Sequence, residues 1–229
     1  MIKAVLLDID NTILDFDAYV KEALENGFSA FGLGTYDEKV YDVFAGINNG
    51  LWRELEKGNL SMEALFSVRF NTVFSHLGIE CDGQAFEKYF SEYLNESAIP
   101  VRNAEALTEY LGKKYILAAA SNGPYFQQEH RLSLAGMRGH FADLFISEKV
   151  GASKPSRAFF DHCLKKLNEI TDVLPEEFIM IGDSPTSDIM GAGNAGMKTI
   201  YFDRHKKGLG DNIRADYTVH ALEEIFSIL

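Results

Sequence analysis

The chain has 229 residues, 46% of them hydrophobic, and a formal charge of -12 at pH 7. That length allows one large domain or one domain with an insertion, and the apolar content excludes a disordered chain. The acidic balance argues against a nucleic-acid polymer as partner and makes any anionic ligand depend on local positive charge.

No apolar stretch approaches the ~18 residues of a membrane span. Asp8 interrupts the first apolar run before it could form a signal-peptide core. A cytoplasmic protein with no membrane association is therefore expected. Cys81 and Cys163, placed in helices by the surrounding pattern, read as reduced thiols in that setting.

Ala4 to Leu7 reads as a buried strand, followed by Asp8-Ile9-Asp10-Asn11-Thr12. An unpaired buried charge is costly, and two acids this close repel each other unless a cation or a shared proton relieves them. A strand ending in such a pair suits metal-assisted phosphoryl transfer. Next come four segments with apolar residues at helical spacing: 18–31, 40–55, 62–77 and 86–94. Asp82 is a plausible cap for the last, and Ser61 a weak one for the third. Further apolar runs at 115–120, 144–147, 178–181, 199–202 and 217–219 alternate with helix-length stretches. This alternation predicts a doubly wound, Rossmann-like α/β sheet with parallel strands. The interval from Asp8 to Ser121 exceeds one crossover helix by roughly 80 residues. The expected organisation is a catalytic core of residues 1–14 and 98–229, with residues 15–97 inserted as a helical cap domain.

Polar groups follow four of the strands. Asp8, Asp10 and Thr12 follow the first. Ser121-Asn122-Gly123 follows the second, where a hydroxyl and a turn glycine can meet a phosphoryl oxygen. Lys154 precedes Pro155, which is expected to open a helix. Gly182-Asp183-Ser184-Pro185-Thr186-Ser187-Asp188 follows the fourth, with Ser184 as cap and Asp188 in the first helical turn. Magnesium prefers oxygen ligands and bridges carboxylates to phosphate. The pair near residue 8 offers both a nucleophile and an acid/base.

The D-x-D-x-T, S-N-G, K-P and G-D-S-x-x-x-D elements, in this order, resemble those of the haloacid dehalogenase superfamily of phosphohydrolases. The resemblance implies that Asp8 attacks phosphorus and that Asp10 protonates the leaving oxygen, then activates water. It implies magnesium, or manganese in its place, held by the carboxylates of Asp8 and Asp183 and the backbone carbonyl of Asp10, with Asp188 orienting Lys154 or a metal-bound water. Ser121 and Lys154 would bind the phosphoryl group, with the Gly123 turn close to it, while Thr12 and Asn122 would help fix the loops of this substrate site. An acid at position 10 favours phosphate chemistry over dehalogenation.

A finer resemblance is to the pyrimidine 5′-nucleotidase branch. It rests on Phe16-Asp17, on Asn48-Asn49-Gly50-Leu51-Trp52-Arg53, on Arg69-Phe70, on Gln128 to Leu132 and on Ser147 to Gly151. Tyr201-Phe202-Asp203 departs from the tryptophan- and asparagine-containing strand end of that branch. A nucleoside monophosphate is the implied small-molecule partner. Phe16 and Trp52 could stack on a base, and Asn48 or Arg53 could read its polar edge. Packing inside the cap is the competing account of Trp52, and a solvated or ion-paired side chain that of Arg53. Another phosphatase, for phosphoglycolate or a sugar phosphate, and a phosphomutase stay as alternatives, as does a phospho-accepting signalling module. Either a monomer or a homodimer is compatible with the sequence. The cap is expected to close over substrate about hinges near Asp15 and residues 97–102. Arg204-His205-Lys206-Lys207 reads as a solvated basic turn.

Overall fold

The computed structural model describes residues 1–229. In chain order the elements begin with β1 (Ala4–Leu7) and four helices: α1 (Phe16–Ala30), α2 (Glu38–Glu56), α3 (Met62–Leu77) and α4 (Gly83–Asn95). They continue with α5 (Ala104–Lys114), β2 (Ile116–Ser121), α6 (Tyr125–Leu134), β3 (Asp143–Ile146), α7 (Ser147–Val150) and α8 (Arg157–Asn168). The chain ends with β4 (Phe178–Gly182), α9 (Gly191–Asn194), β5 (Lys198–Phe202) and β6 (Tyr217–Val219). All six expected strands are present, each within one residue of its apolar run. They form one parallel sheet in the order β3-β2-β1-β4-β5-β6.

The sheet is covered on both faces, which is why its strands read as continuous apolar runs rather than alternating ones. Successive side chains point to opposite faces. Val5 and Leu7 join Leu117, Ala119, Ile179 and Ile181 in one core with Leu107 and Leu111 of α5. Ala4 and Leu6 join Ala118, Ala120, Phe178 and Met180 in a second core with Phe159, Phe160 and Cys163 of α8.

The chain divides into two compact units, Met1–Asp15 with Ala98–Leu229, and Phe16–Ser97. The second is all helical and built on aromatic packing. Phe70 lies 5.4 Å from Phe44, 4.7 Å from Phe86 and 5.0 Å from Phe90, ring centre to ring centre. Its helices start at side-chain caps. Asp37 accepts from the N–H of Lys39, and Ser61 from that of Ala64. Asp82 accepts from Gln84 and Ala85, so α4 opens at Gly83, three residues before its first periodic phenylalanine. Cys81 lies in the turn before that cap rather than in a helix, and both cysteines are free thiols.

A charged pair sits inside this unit. Arg69, 3% exposed, donates to both carboxylate oxygens of Glu87 at 2.9 and 2.5 Å and to Asn48 Oδ1 at 2.9 Å. Its guanidinium lies 5.0 Å from the Phe90 ring centre and 5.1 Å from that of Phe66. Removing one partner of a buried pair strands the other charge, at a cost of about 3–5 kcal/mol. Arg69→Met is therefore expected to lower stability by about that amount in denaturant unfolding, and Arg69→Met with Glu87→Leu to recover much of it. An unchanged midpoint in Arg69→Met would contradict the packing described.

Candidate active site

Strand order reverses at β1, with β2 and β3 on one side and β4 to β6 on the other. The crevice at the carboxyl ends of β1 and β4 is thus the switch point where doubly wound sheets bind ligands. Leu7 is level with Ile181, and the Asp8 N–H donates to the Ile181 carbonyl at 2.9 Å. This register brings the acids after β1 and β4 to the same height. Carboxylate oxygens of Asp8, Asp183 and Asp188 all lie within 4.8 Å of one another.

Lys154 reaches this cluster from the segment before α8. Only 2% exposed, its ammonium donates to Asp8 Oδ1 at 2.7 Å, Asp188 Oδ1 at 2.6 Å and the Ala120 carbonyl at 2.7 Å. An ammonium has three donors, and all three are used. Pro155 does not open the helix as expected. It lies in a turn after a cis Lys154–Pro155 bond, and Ser156 caps α8 by accepting from the Phe159 N–H. A serine hydroxyl satisfies one of the free N–H groups at a helix start, so the helix begins after the serine rather than at the proline. Asn122 holds the Lys154 backbone with two bonds: Nδ2 donates to the Lys154 carbonyl, and Oδ1 accepts from the Lys154 N–H, both at 2.9 Å.

Ser184 caps the segment after β4, which is wound as a π-helical turn over Pro185–Met190. Asp188 Oδ2 accepts from the Ser184 N–H at 3.0 Å. A Cβ on Gly182 would lie 2.1 Å from that same oxygen, so only glycine leaves room for the carboxylate. Thr12 is fully buried, and its hydroxyl donates to Asp8 Oδ2 at 3.0 Å.

Asp10 stands apart from the acid cluster. Its Oδ1 accepts from Arg131 at 2.7 Å and its Oδ2 from Gln128 at 2.5 Å. The Asp8 and Asp183 carboxylates expected to hold a metal converge with that of Asp188, while the Asp10 carboxylate, expected to act as acid and base and to offer a metal only its backbone carbonyl, is engaged by α6. The physical reason is the buried guanidinium, which draws the nearest available carboxylate. Gln128 also donates to Ser121 Oγ at 3.0 Å, and the Gly123 N–H donates to that oxygen at 3.1 Å. A Cβ on Gly123 would lie 2.3 Å from the Gln128 amide nitrogen.

Sequence reasoning gives Gln128 and Arg131 no role of their own. The available signal is a glutamine and an arginine three positions apart, one helix face, just after the S-N-G turn. It also misreads Arg204, which is ion-paired and largely buried rather than part of a solvated turn. Arg204 forms a two-pronged pair with Asp15, at 2.6 and 2.9 Å, inside the first unit. The four helical-unit candidates are placed as follows. Phe16 is half-buried, 5.6 Å from Tyr19 ring to ring. Asn48 is buried with its carbonyl oxygen bound to Arg69. Trp52 is half-buried, and the exposed Arg53 donates to the Asn49 carbonyl of its own helix at 3.1 Å.

Burial pushes the Asp8 carboxyl up to about 7, with Lys154 pulling it down and Asp188 and Asp10 pushing it further up. Burial alone would lower Lys154, but Asp188 and Asp8 outweigh it and raise the ammonium above its ordinary range. Three carboxylates face one ammonium, which leaves two formal negative charges in a confined space. A divalent cation on Asp8 and Asp183 would cancel them, so the donor set fits a hard, oxygen-preferring metal.

The folded value for Asp8 lies above its ordinary 3.8. Between the two values the folded chain keeps a proton that the unfolded chain has released, so stability falls as pH rises from about 4 to about 7. Metal-free protein is expected to lose melting temperature across that window. Asp8→Asn should flatten the loss, and magnesium should restore more stability at about pH 8 than at about pH 5, since binding needs the ionised carboxylate. An identical slope in Asp8→Asn would refute this assignment.

Three comparisons place the chain among known proteins. The sequence family of haloacid dehalogenase-like hydrolases matches residues 2–196. The chain is 33% identical to pyrimidine 5′-nucleotidase PynA of Streptococcus pneumoniae, over 99% of this chain and 94% of that protein. It is 27% identical to pyrimidine 5′-nucleotidase YjjG of Escherichia coli, over 98% of this chain and 96% of that protein. Its fold superposes on the magnesium-bound crystal structure of the HAD-hydrolase YfnB from Bacillus subtilis with a TM-score of 0.92, at 30% identity, covering 100% of this chain and 98% of the other.

Proposed function

The chain belongs to the haloacid dehalogenase-like hydrolases, and we propose that it is a magnesium-dependent phosphatase for nucleoside 5′-monophosphates, pyrimidine nucleotides in particular. The observation that carries the substrate class is similarity along the whole chain, helical unit included, to two proteins named as pyrimidine 5′-nucleotidases. The acid at position 10 supports phosphate chemistry, because an alkoxide leaving group needs a proton donor.

Each side chain then has a task. The Asp8 carboxylate forms a bond to phosphorus while the ester P–O bond breaks. Asp10 gives its proton to the departing nucleoside oxygen. It then takes a proton from the water that attacks the aspartyl-phosphate, releasing inorganic phosphate and regenerating Asp8. Lys154 neutralises Asp8 and a phosphoryl oxygen, and Asp188 holds the ammonium in place. Asp8 and Asp183, with the Asp10 carbonyl, would hold the divalent ion. When bound, that ion offsets the charge of the transferring phosphoryl group. Ser121 has a defined polarity. Both lone pairs of its oxygen accept N–H groups, from Gly123 and Gln128, so its hydrogen is left to donate to a phosphoryl oxygen. In the helical unit, Phe16 and Trp52 are only half-buried, whereas Asn48 spends its carbonyl oxygen on Arg69.

The test is phosphate release from uridine, deoxyuridine and thymidine 5′-monophosphates with and without magnesium, beside a panel of sugar phosphates and phosphoglycolate. Magnesium-dependent turnover favouring the nucleotides is expected. Efficient turnover of another phosphoester with none of any nucleotide would end the substrate assignment. Asp8→Asn should abolish turnover in a folded protein. Asp10→Asn should slow both half-reactions by about 10²–10⁴-fold, the usual worth of proton transfer.

A further inference from the structure

Gln128 and Arg131 are the two buried polar side chains of α6, and their joint arrangement goes beyond the chemistry above. Both are buried, at 0% and 1% exposure. They sit three positions apart on a helix, hence on one face. Their bonds form a closed chain. Arg131 donates from one nitrogen to Asp10 Oδ1 at 2.7 Å and to Gln128 Oε1 at 3.2 Å. The Gln128 amide nitrogen donates its two hydrogens to Asp10 Oδ2 at 2.5 Å and to Ser121 Oγ at 3.0 Å.

We propose that Gln128 and Arg131 are positioning residues that hold the proton-transfer acid Asp10 and the phosphoryl donor Ser121 in fixed register from one rigid helix. The inference deepens the phosphatase reading and rests on it. Three features support it. The chain of bonds spans two motif loops, after β1 and after β2. The orientation is unambiguous, because the Gln128 carbonyl faces a guanidinium, which can only donate, so its amide nitrogen must face Asp10 and Ser121. The geometry is also protected from side chains at position 123, since a Cβ there would strike the Gln128 amide. A glutamine at 128 therefore does two things. It fixes one oxygen of Asp10, and it occupies a lone pair of Ser121 so that the hydroxyl hydrogen turns outward. Arg131 fixes the other oxygen of Asp10 and locks the glutamine.

The two residues are expected to fail differently. Arg131→Met takes one bond from Asp10 and one from the Gln128 carbonyl, but leaves Ser121 both of its N–H donors. A misplaced proton donor matters for a nucleoside alkoxide and hardly at all for p-nitrophenolate, which leaves without protonation. For Arg131→Met, kcat/KM on uridine 5′-monophosphate should fall by about 10²-fold, the scale of an ångström-level misplacement, and on p-nitrophenyl phosphate by less than about 3-fold. Gln128→Met removes the Ser121 restraint as well, so KM for both substrates should rise. In an Asp10→Asn background, Arg131→Met should cost nothing further on either substrate. Arg131→Lys keeps a charge and a donor, and should recover part of the uridine 5′-monophosphate rate if Arg131→Met proves too unstable to assay.

Equal losses on the two substrates, in variants whose melting shows a folded protein, would overturn the inference and reduce both residues to structural ones. Additive losses in the Asp10→Asn background would overturn it too. Should the wild type ignore nucleotides but hydrolyse β-glycerophosphate, only the substrate class fails. The same alkyl-against-aryl comparison then decides the inference with that substrate. A wild type inactive on every phosphoester would remove the phosphatase reading and this inference together.

Discussion

One buried ammonium organises the site. Lys154 is withdrawn from water and uses every donor it has on Asp8, Asp188 and the end of β2. Without it, three carboxylates would share a pocket in which mutual repulsion and lost hydration both work against ionisation. With it, the cluster is still short of positive charge. That shortfall makes the site receptive to a divalent cation, whose charge an incoming phosphate dianion would also need. A fully neutralised cluster would be more stable and would have less reason to bind anything.

The sheet does the positioning. The acids sit at the ends of neighbouring strands whose register is set by apolar side chains on two faces, so moving one acid relative to another would mean slipping a strand. A slip of one residue would send each side chain of that strand into the opposite core, where the packing does not match it. The loops need only small devices to complete the arrangement. Asn122 staples the Lys154 backbone by two bonds. Ser184 opens a turn that aims Asp188 back at the lysine, and Gly182 leaves the space that Asp188 occupies. Arg204 pairs with Asp15 at the point where the first unit's chain departs toward the helices.

The parts legible in the sequence were those written by strands and their ends. An apolar run followed at once by an acid, a serine or a glycine has few physical readings, so β1, β2 and β4 and the residues after them could be placed. Features that depend on three-dimensional closure were not legible. Gln128 and Arg131 sit on a helix whose polar face resembles a solvated surface, and only the fold reveals that this face is buried. Arg204 looked like part of a basic turn, because its partner lies 189 positions away. Pro155 suggested a helix start, yet the serine after it does the capping. Arg69 and Glu87 are eighteen positions apart on different helices, and nothing local marks them as a buried pair.

The claim beneath all of this is that Asp8 and Asp183 share one cation. Anomalous diffraction from crystals soaked in manganese tests it most directly. The account requires a single strong peak touching carboxylate oxygens of both residues, absent from crystals of Asp183→Asn. A peak bound elsewhere, or an equally strong one that survives that substitution, would contradict it.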